Sequence, residues 1–320
     1  MKIFIQSPDA SNRIDDNITR MILPYLDVTQ DAAAADVTLI PVSFLTGFKF
    51  NPALERIAGK TCIIDLMEYE WLENKEEVGT HLFGVNTSLC RWLKTPDWQR
   101  FCDWVKANPP CVYFKRELRK VDETEKILPI EFPCVNQEFP LQNKHAFDSR
   151  RFEVFYSWGY SHPSRPLLHA EIFKQMASGG PDVISDWNHI AYGGFGKRVW
   201  ASIYAPHYSR KPIDDVVLFQ SQAKISVSLP GAGVKCFRHS ESPVNSVMAL
   251  HYDDLAWSFP WVHGLNCVRM EPGAEIRDLN EALADADLWN IYLESQVNIG
   301  KYRAESYAAD YLMPAIAARL

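Results

Sequence analysis

The chain has 320 residues, of which 47% are hydrophobic and 23% are charged, and its formal net charge is -7. This balance excludes a disordered or fibrous protein, and the length fits either two domains or one large α/β barrel. The net negative charge argues against a protein that binds nucleic acid by overall electrostatic attraction. A single basic cleft is compatible with this net charge.

The N-terminal stretch MKIFIQSPDASNR predicts a strand and a polar loop, not a targeting signal. A secretory signal needs about 7–15 apolar residues and a membrane helix needs about 20, and no stretch has that character. The seven cysteines are scattered and include no CxxC pair, which predicts free thiols in a reducing compartment. We therefore expect a cytoplasmic protein without an integral membrane segment, from a bacterium or from a phage in its host's cytoplasm.

Strands and helices alternate along the first part of the chain. ADVTLIPVSF and KTCIIDL predict strands, and DDNITRMILPYL and the Trp-rich SLCRWLKTPDWQRFCDWVKAN predict helices. Pro109 and Pro110 end the second helix. PCVYFKREL predicts the next strand and KILPIEFPCVN an extended segment. This order predicts βαβ units and a mostly parallel sheet.

The alternation is lost between residues 137 and 151, which predicts a linker, and then it restarts. RFEVFYSWG, PDVISDW and KISVSLPG predict strands, SRPLLHAEIFKQMAS predicts an amphipathic helix, and RHSESPVNSVMALHYD predicts the beginning of another. LAWSFP and LNCVRME predict extended pieces, and the tail from about Asp278 predicts helices. About seven strands in an uneven rhythm favour two α/β domains over a barrel.

The stretch after KISVSLPG carries most of the chemical information. The chain turns through Gly231 and Gly233, and Lys235, Arg238 and Glu241 follow at a predicted helix start. Glycines permit a close approach of the backbone to a ligand, and cations at a helix N-terminus suit a diphosphate. The carboxylate of Glu241 can accept hydrogen bonds from sugar or ribose hydroxyls. The alternative is a capped helix with a solvated, charged first turn.

This segment resembles the donor-binding part of the second domain of GT-B glycosyltransferases, in the style of the exostosin-like and fucosyltransferase-like branches. The matching residues are Gly231, Gly233, Arg238 and Glu241. Many retaining members carry a second Glu eight positions after the first, and this chain has Ala249 there. The paired-Glu motif is therefore absent.

Two other segments resemble the same family. In FPWVHGLNCV, Pro260, Gly264 and Asn266 match a following strand and loop, whereas His263 replaces a common acidic residue. In VFYSWGYSHPSRPLLHAEIF the matching residues are Gly159, after the strand, and Arg165, at the helix start. From the aromatic residues, Trp158, Tyr160 and Trp187 are those we expect at the site.

The resemblance implies an α/β protein of two Rossmann-like domains facing a cleft. An acceptor-side domain would span residues 1–145 and a nucleotide-sugar-binding domain residues 146–300, with a C-terminal helix at 301–320 packing back on the first domain. It further implies transfer of a hexose or pentose from a nucleotide-diphosphate sugar such as a UDP-sugar, without cofactor or metal.

The acceptor is left open by the sequence. It would be a glycan, a lipid-linked glycan or a hydroxymethylated base in phage DNA, and KRELRK at 115–120, with Arg91, Lys94 and Arg100, is a candidate groove for DNA. A nucleotide- or glycan-binding protein of degenerate GT-B fold, without turnover, is the alternative function.

An inverting enzyme needs a base to deprotonate the acceptor hydroxyl, and it usually comes from the first domain. Asp9 follows the first predicted strand and Asp65 closes the strand CIID, with Glu68 and Glu70 behind it. For each of them the alternative is a role as a turn or capping residue. In a retaining enzyme the donor phosphate can take the proton instead.

Two motifs suggest other chemistry and are rejected. GGFGKRVW lacks the spacing of a phosphate-binding loop and the hydroxyl residue after Lys197. Asp285-Ala286-Asp287 resembles a metal-binding D-x-D, but it lies within a predicted helix and not at a strand end. No metal site is therefore predicted.

Overall fold

The computed structural model describes thirteen parts of the chain: residues 1–10, 17–42, 48–66, 95–134, 143–158, 167–168, 171, 183–187, 220–229, 235, 239, 246–251 and 255–320. Gly159, Arg165, Gly231, Gly233, Arg238 and Glu241 lie outside these residues, as do Glu68, Glu70, Arg91, Lys94 and Tyr160. The side chains of Trp158 and Trp187 are likewise not described.

The chain divides into two compact units. Unit 1 comprises Met1–Asn136, Asp254–Pro260 and Lys301–Leu320, and unit 2 comprises Gln137–Asp253 and Trp261–Gly300. Residues 254–260 thus lie in the first unit, although the sequence places them in the second domain.

Unit 1 is built on a sheet of five parallel strands. These are β1 (Ile3–Ile5), β2 (Val37–Val42), β3 (Thr61–Asp65), β4 (Val112–Lys115) and β5 (Ile127–Pro129). They lie side by side in sequence order. Every residue of β2 and β3 is buried, as expected for parallel strands covered on both faces.

Helices cover this sheet. They are α1 (Asn17–Ile22), short 3-10 turns at Leu23–Tyr25, Ala32–Ala34, Pro52–Arg56 and Lys120–Asp122, and α2 (Pro96–Ala107). The Thr95 hydroxyl caps α2 by accepting from the Trp98 N–H, and the helix ends before the proline pair, as predicted. Its buried face packs with Phe48 against β2 and β3 through an aromatic cluster of Trp98, Phe101 and Trp104.

Unit 2 contains a second sheet of five parallel strands. These are β6 (Phe152–Trp158), β7 (Val183–Trp187), β8 (Ala223–Ser228), β9 (Val247–His251) and β10 (Val268–Met270). Their order is β10-β9-β8-β6-β7. The chain moves from β6 outward to β7 and then returns to the other side of β6, so the switch point of the sheet lies between β6 and β8.

The helices of unit 2 whose bounds the structure describes are α3 (Lys144–Asp148), α4 (Glu275–Ala284) and most of α5 (Leu288–Lys301). Leu279, Ile291 and Tyr292 from the last two helices pack in one cluster with β8 and β9. Further helical turns follow in unit 1: α6 (Ala304–Ser306), a π-helical stretch at Tyr307–Leu312 and α7 (Met313–Ala317). The helical tail is as predicted. No helix in the described part of the chain has the length and apolar character needed to cross a membrane.

Three local predictions need correction. The helix predicted to begin in RHSESPVNSVMALHYD is replaced over Val247–His251 by strand β9, whose five residues are all buried between β8 and β10. A short buried apolar run fits a helix and a central parallel strand equally well. The predicted linker contains α3, which Asn143 caps. Asp285 ends α4 and its carboxylate accepts from the Asp287 N–H at 2.8 Å, so the D-x-D is a turn between helices.

A buried carboxylate joins three segments of unit 1. Glu131, just after β5, accepts hydrogen bonds from the Ser258 N–H (3.3 Å to each oxygen), from the Ser258 hydroxyl and from the Tyr307 hydroxyl (3.1 Å). The Glu131 N–H donates to the Tyr307 oxygen at 3.1 Å. Burial, and then the neighbouring Glu131 charge, raise the pKa of the Tyr307 phenol far above its usual value, so Tyr307 stays a donor.

We expect Glu131→Ala to lower the free energy of unfolding by about 2–4 kcal/mol, because it strips acceptors from buried hydroxyl and amide groups. Tyr307→Phe, which removes one hydroxyl, should cost less. Chemical denaturation measures both. Glu305→Ala removes an exposed carboxylate of unit 1 and serves as the control; a Glu131→Ala midpoint equal to that of the control would contradict the prediction.

Candidate functional site

The carboxyl edge of the unit 2 sheet is the expected position of a ligand. In open α/β sheets, ligands bind outside the carboxyl ends of the strands at the switch point. Here the flanking strands are β6, which ends immediately before Gly159, and β8, which ends three residues before Gly231. The two strands of the switch point are therefore the strands that precede Gly159 and Gly231 in the chain.

Two described residues in the segment after β8 are buried. Lys235 is 2% exposed and His239 is 5% exposed. Full burial of an ammonium group is costly unless other polar or charged groups surround it. The Lys235 side chain therefore lies in the interior of unit 2 and not on a solvated surface.

Asn266 lies in the turn that leads into β10. Its side-chain oxygen accepts from the Val262 N–H at 2.7 Å, and its own N–H donates to the Val262 carbonyl at 3.1 Å. Gly264 has a φ of +74°, in the left-handed region that favours glycine, and donates to the Cys267 carbonyl. The matched Gly264 and Asn266 thus shape one turn, while His263 accepts from the Arg269 N–H at its edge.

A histidine–carboxylate pair that the sequence does not predict lies at the carboxyl end of β9. His251 Nε2 lies 3.1 Å from Glu275 Oε1, in the first turn of α4. The His251 side chain is 2% exposed and that of Glu275 is 16% exposed. Burial lowers the pKa of His251 below 6.5, and the hydrogen bond that its ring donates to Glu275, with the charges of Glu275 and Glu271, opposes this shift. The two partners are 24 residues apart, and no local motif signals them.

In unit 1, Asp65 closes β3, as predicted, and is completely buried. Its Oδ2 lies 3.1 Å from Lys115 Nζ at the end of β4 and accepts from the Tyr113 hydroxyl at 2.5 Å. Neither Asp65 nor Lys115 has exposed side-chain surface. Burial lowers the pKa of Lys115, and the charge of Asp65 opposes this shift. The carboxylate therefore balances a buried cation at the carboxyl edge of the sheet.

Asp9 lies in the loop after β1, as predicted, and is 5% exposed. Its carboxylate accepts from the Lys49 N–H at 3.3 Å, and its N–H donates to the Ser7 hydroxyl. Asn51 donates to the main-chain oxygens of Ser7 and Asp9. These contacts hold the loop against residues 49–51. In the sheet β1 is separated from β3 by β2, so Asp9 and Asp65 are not adjacent.

The basic stretch KRELRK does not form the surface predicted for it. Lys115, Arg116, Glu117 and Leu118 are all buried, and only Arg119 and Lys120 are exposed. Arg116 donates to Glu117 at 3.0 Å and lies over the ring of Phe132. The stretch continues directly from a central strand, which explains the burial. Arg100 is exposed but pairs with Glu55 at 2.6 Å.

Neither a protein-family model nor a curated protein matches this chain. Among solved structures, the GtfA/B complex matches with a TM-score of 0.51 at 10% identity, over 88% of this chain and 57% of that chain. The glycotransferase of kitacinnamycin matches with 0.42 at 15% identity, over 96% and 85%. The glycosyltransferase SnogD from Streptomyces nogalater matches with 0.39 at 10% identity, over 97% and 98%.

At sequence identities of 10–15%, these structural matches show similarity of fold and nothing about activity. This chain spans little more than half of the GtfA/B chain it matches. The expected fold, α/β with two Rossmann-like units of the GT-B kind, is confirmed at this level.

We expect acidification below the ordinary histidine pKa to destabilise unit 2 through His251. Its pKa is lower in the folded than in the unfolded chain, so its contribution is fully present above pH 6.5 and is lost as the pH falls through the folded value. His251→Gln, which can still donate to Glu275, should flatten the fall in melting temperature between about pH 8 and pH 5. His145→Gln, at an exposed site in α3, should keep the wild-type slope; equal slopes in both variants would refute the assignment.

Proposed function

We propose that this chain is a glycosyltransferase that moves a sugar from a nucleotide-diphosphate sugar to a hydroxyl group of an acceptor. The observation that carries the proposal is the strand order of unit 2. The two strands at its switch point, β6 and β8, are the strands followed by Gly159 and by Gly231 and Gly233. The GT-B kind of fold supports the same conclusion.

The donor would be held mainly by charge. Arg165, Lys235 and Arg238 would neutralise the diphosphate, since charge-assisted hydrogen bonds to phosphate strengthen as water is excluded. The buried position of Lys235 supports such a role. Gly159, Gly231 and Gly233 would let main-chain N–H groups approach the phosphates, Glu241 would accept from a sugar or ribose hydroxyl, and Asn266 would hold its turn beside the donor. With these cations the proposal needs no metal or cofactor.

For the base we propose Asp9 over Asp65. Asp65 already balances Lys115 inside the sheet, and a proton taken up there would leave a buried ammonium unpaired. Asp9 lies in the loop after the carboxyl end of β1, and protonation of its carboxylate would not break the ion pair between Asp65 and Lys115. The acceptor is proposed to be a glycan or lipid-linked glycan. A DNA base is disfavoured because Lys115 and Arg116 are buried.

A panel of nucleotide-diphosphate sugars, with UDP-sugars first, tests the donor. The matching donor at a hundred times its Kd should stabilise the protein by about 2.7 kcal/mol in thermal unfolding. Arg238→Ala should abolish most of this stabilisation. Arg151→Ala removes an exposed arginine at the opposite, amino end of β6 and should not change it.

Equal stabilisation of both variants would overturn the donor site, and no stabilisation by any sugar nucleotide would overturn the function. Tight binding without release of the nucleoside diphosphate, across a panel of acceptors, would instead favour the non-catalytic alternative.

We expect Asp9→Asn to lower kcat by about 10²–10⁴-fold while leaving the donor Kd unchanged, because it removes the base and keeps an oxygen for the Lys49 N–H. Initial rates and calorimetry measure the two quantities. Asp65→Asn should lower stability, because it leaves Lys115 without its counter-charge. If Asp9→Asn keeps the wild-type kcat, the base assignment falls and proton transfer to the donor phosphate is the surviving mechanism.

A further inference from the structure

A cavity of about 810 Å³ opens at the amino-terminal edge of the unit 1 sheet. Its walls come from residues just before β3, β4 and β5, from the end of α2 and from the last residues of the chain. Asp9 and Asp65 belong to the opposite, carboxyl edge of the same sheet. The cavity is therefore separate from the residues proposed for glycosyl transfer.

The cavity carries uncompensated positive charge. Lys60, Lys126 and Arg319 line it, whereas the described lining has a single carboxylate, Glu125. Within the described ranges, the side chains of Lys60 and Lys126 form no ion pair or hydrogen bond. The Arg319 guanidinium donates to the main-chain oxygens of Glu125 and Ala315, not to a carboxylate. Positive charges thus outnumber negative charges at this cavity, in a chain whose net charge is -7.

Two of these cations line the cavity together with a cysteine. The thiol of Cys111 lies in the lining and is half-buried. Its pKa is raised by burial, but the charges of Lys60 and Arg319 both lower it. Lys60, Cys111 and Arg319 thus line one cavity, and the charges of the two cations act on the same thiol.

We propose that this cavity binds a small organic phosphate ester. Lys60, Lys126 and Arg319 supply donors and charge for one phosphate group. Ile57, Pro109 and Pro110 supply an apolar wall for the organic part. The volume lies within the range of about 300–1,000 Å³ typical of small-molecule sites. Three cations within one cavity of this size favour a compact anion over a nucleic acid strand, whose charges are spread along its length.

The thiol of Cys111 provides a local reporter that does not depend on enzyme turnover. Phenyl phosphate and inorganic phosphate are the probes, and alkylation of Cys111 by iodoacetamide, followed by peptide mass spectrometry, is the readout. Both probes should slow the alkylation in a saturable manner. Phenyl phosphate should act at lower concentration, because its ring packs on the apolar wall.

Lys60→Gln/Lys126→Gln changes two exposed side chains without hydrogen-bond partners in the described structure, so folding should be unaffected. We expect it to weaken protection by phenyl phosphate by about tenfold or more, as the loss of charge-assisted hydrogen bonds implies. Lys2→Gln/Lys120→Gln removes the same charge from exposed positions of unit 1 outside the cavity and should leave protection unchanged. Arg238→Ala should also leave it unchanged, which separates this site from the donor site.

Protection that never saturates, or that is equal in the two double variants, overturns the proposal. Stronger protection by a single-stranded DNA oligonucleotide than by phenyl phosphate overturns the small-ligand assignment. Equal protection by inorganic phosphate and phenyl phosphate overturns the role of the apolar wall.

Discussion

The buried carboxylate of Glu131 holds together segments of unit 1 that are far apart in the chain. A carboxylate in an interior is tolerated only when several donors surround it. Its donors come from Ser258 and Tyr307, which are 127 and 176 residues away along the chain. Phe259, Tyr302 and Tyr311 pack around this centre, and the Tyr311 hydroxyl donates to the Pro129 carbonyl at 2.6 Å. The alignment of three distant segments thus follows from satisfying one charge.

The local pattern of apolar and turn residues predicts much of the fold. It predicts little of the hydrogen bonds and ion pairs in the interior. Apolar runs bounded by turn residues identify β2, β3 and β8, and paired prolines end α2. The same kind of run misleads at Val247–His251, because a short buried run has no period that separates strand from helix. The pairs Asp65–Lys115 and His251–Glu275 join residues 50 and 24 positions apart, and such long-range partners leave no mark on local spacing. The sequence predicts that Asp9 and Asp65 follow or close strands, but it does not predict their hydrogen-bond partners.

Several basic residues of this protein are buried and form ion pairs. The sequence predicts a basic surface at Lys115 and Arg116, but both side chains lie in the interior, where each pairs with a carboxylate. Lys235, in a segment that reads as a solvated helix start, is also interior. Lys60, Lys126 and Arg319 are far apart in sequence, and the fold brings them to one cavity. A run of basic residues in the sequence therefore does not identify which cations a ligand can reach in the folded protein.

Unit 1 is discontinuous, and this has a consequence for synthesis. Its third segment, residues 301–320, follows all of unit 2 in the chain, so Tyr307 reaches Glu131 only after unit 2 has been made. Until then Glu131 lacks its Tyr307 partner, whereas unit 2 has all its residues once residue 300 has been added. The part of the protein that is translated first is thus the part that is completed last, and a stop codon near residue 300 would damage the N-terminal half of the molecule.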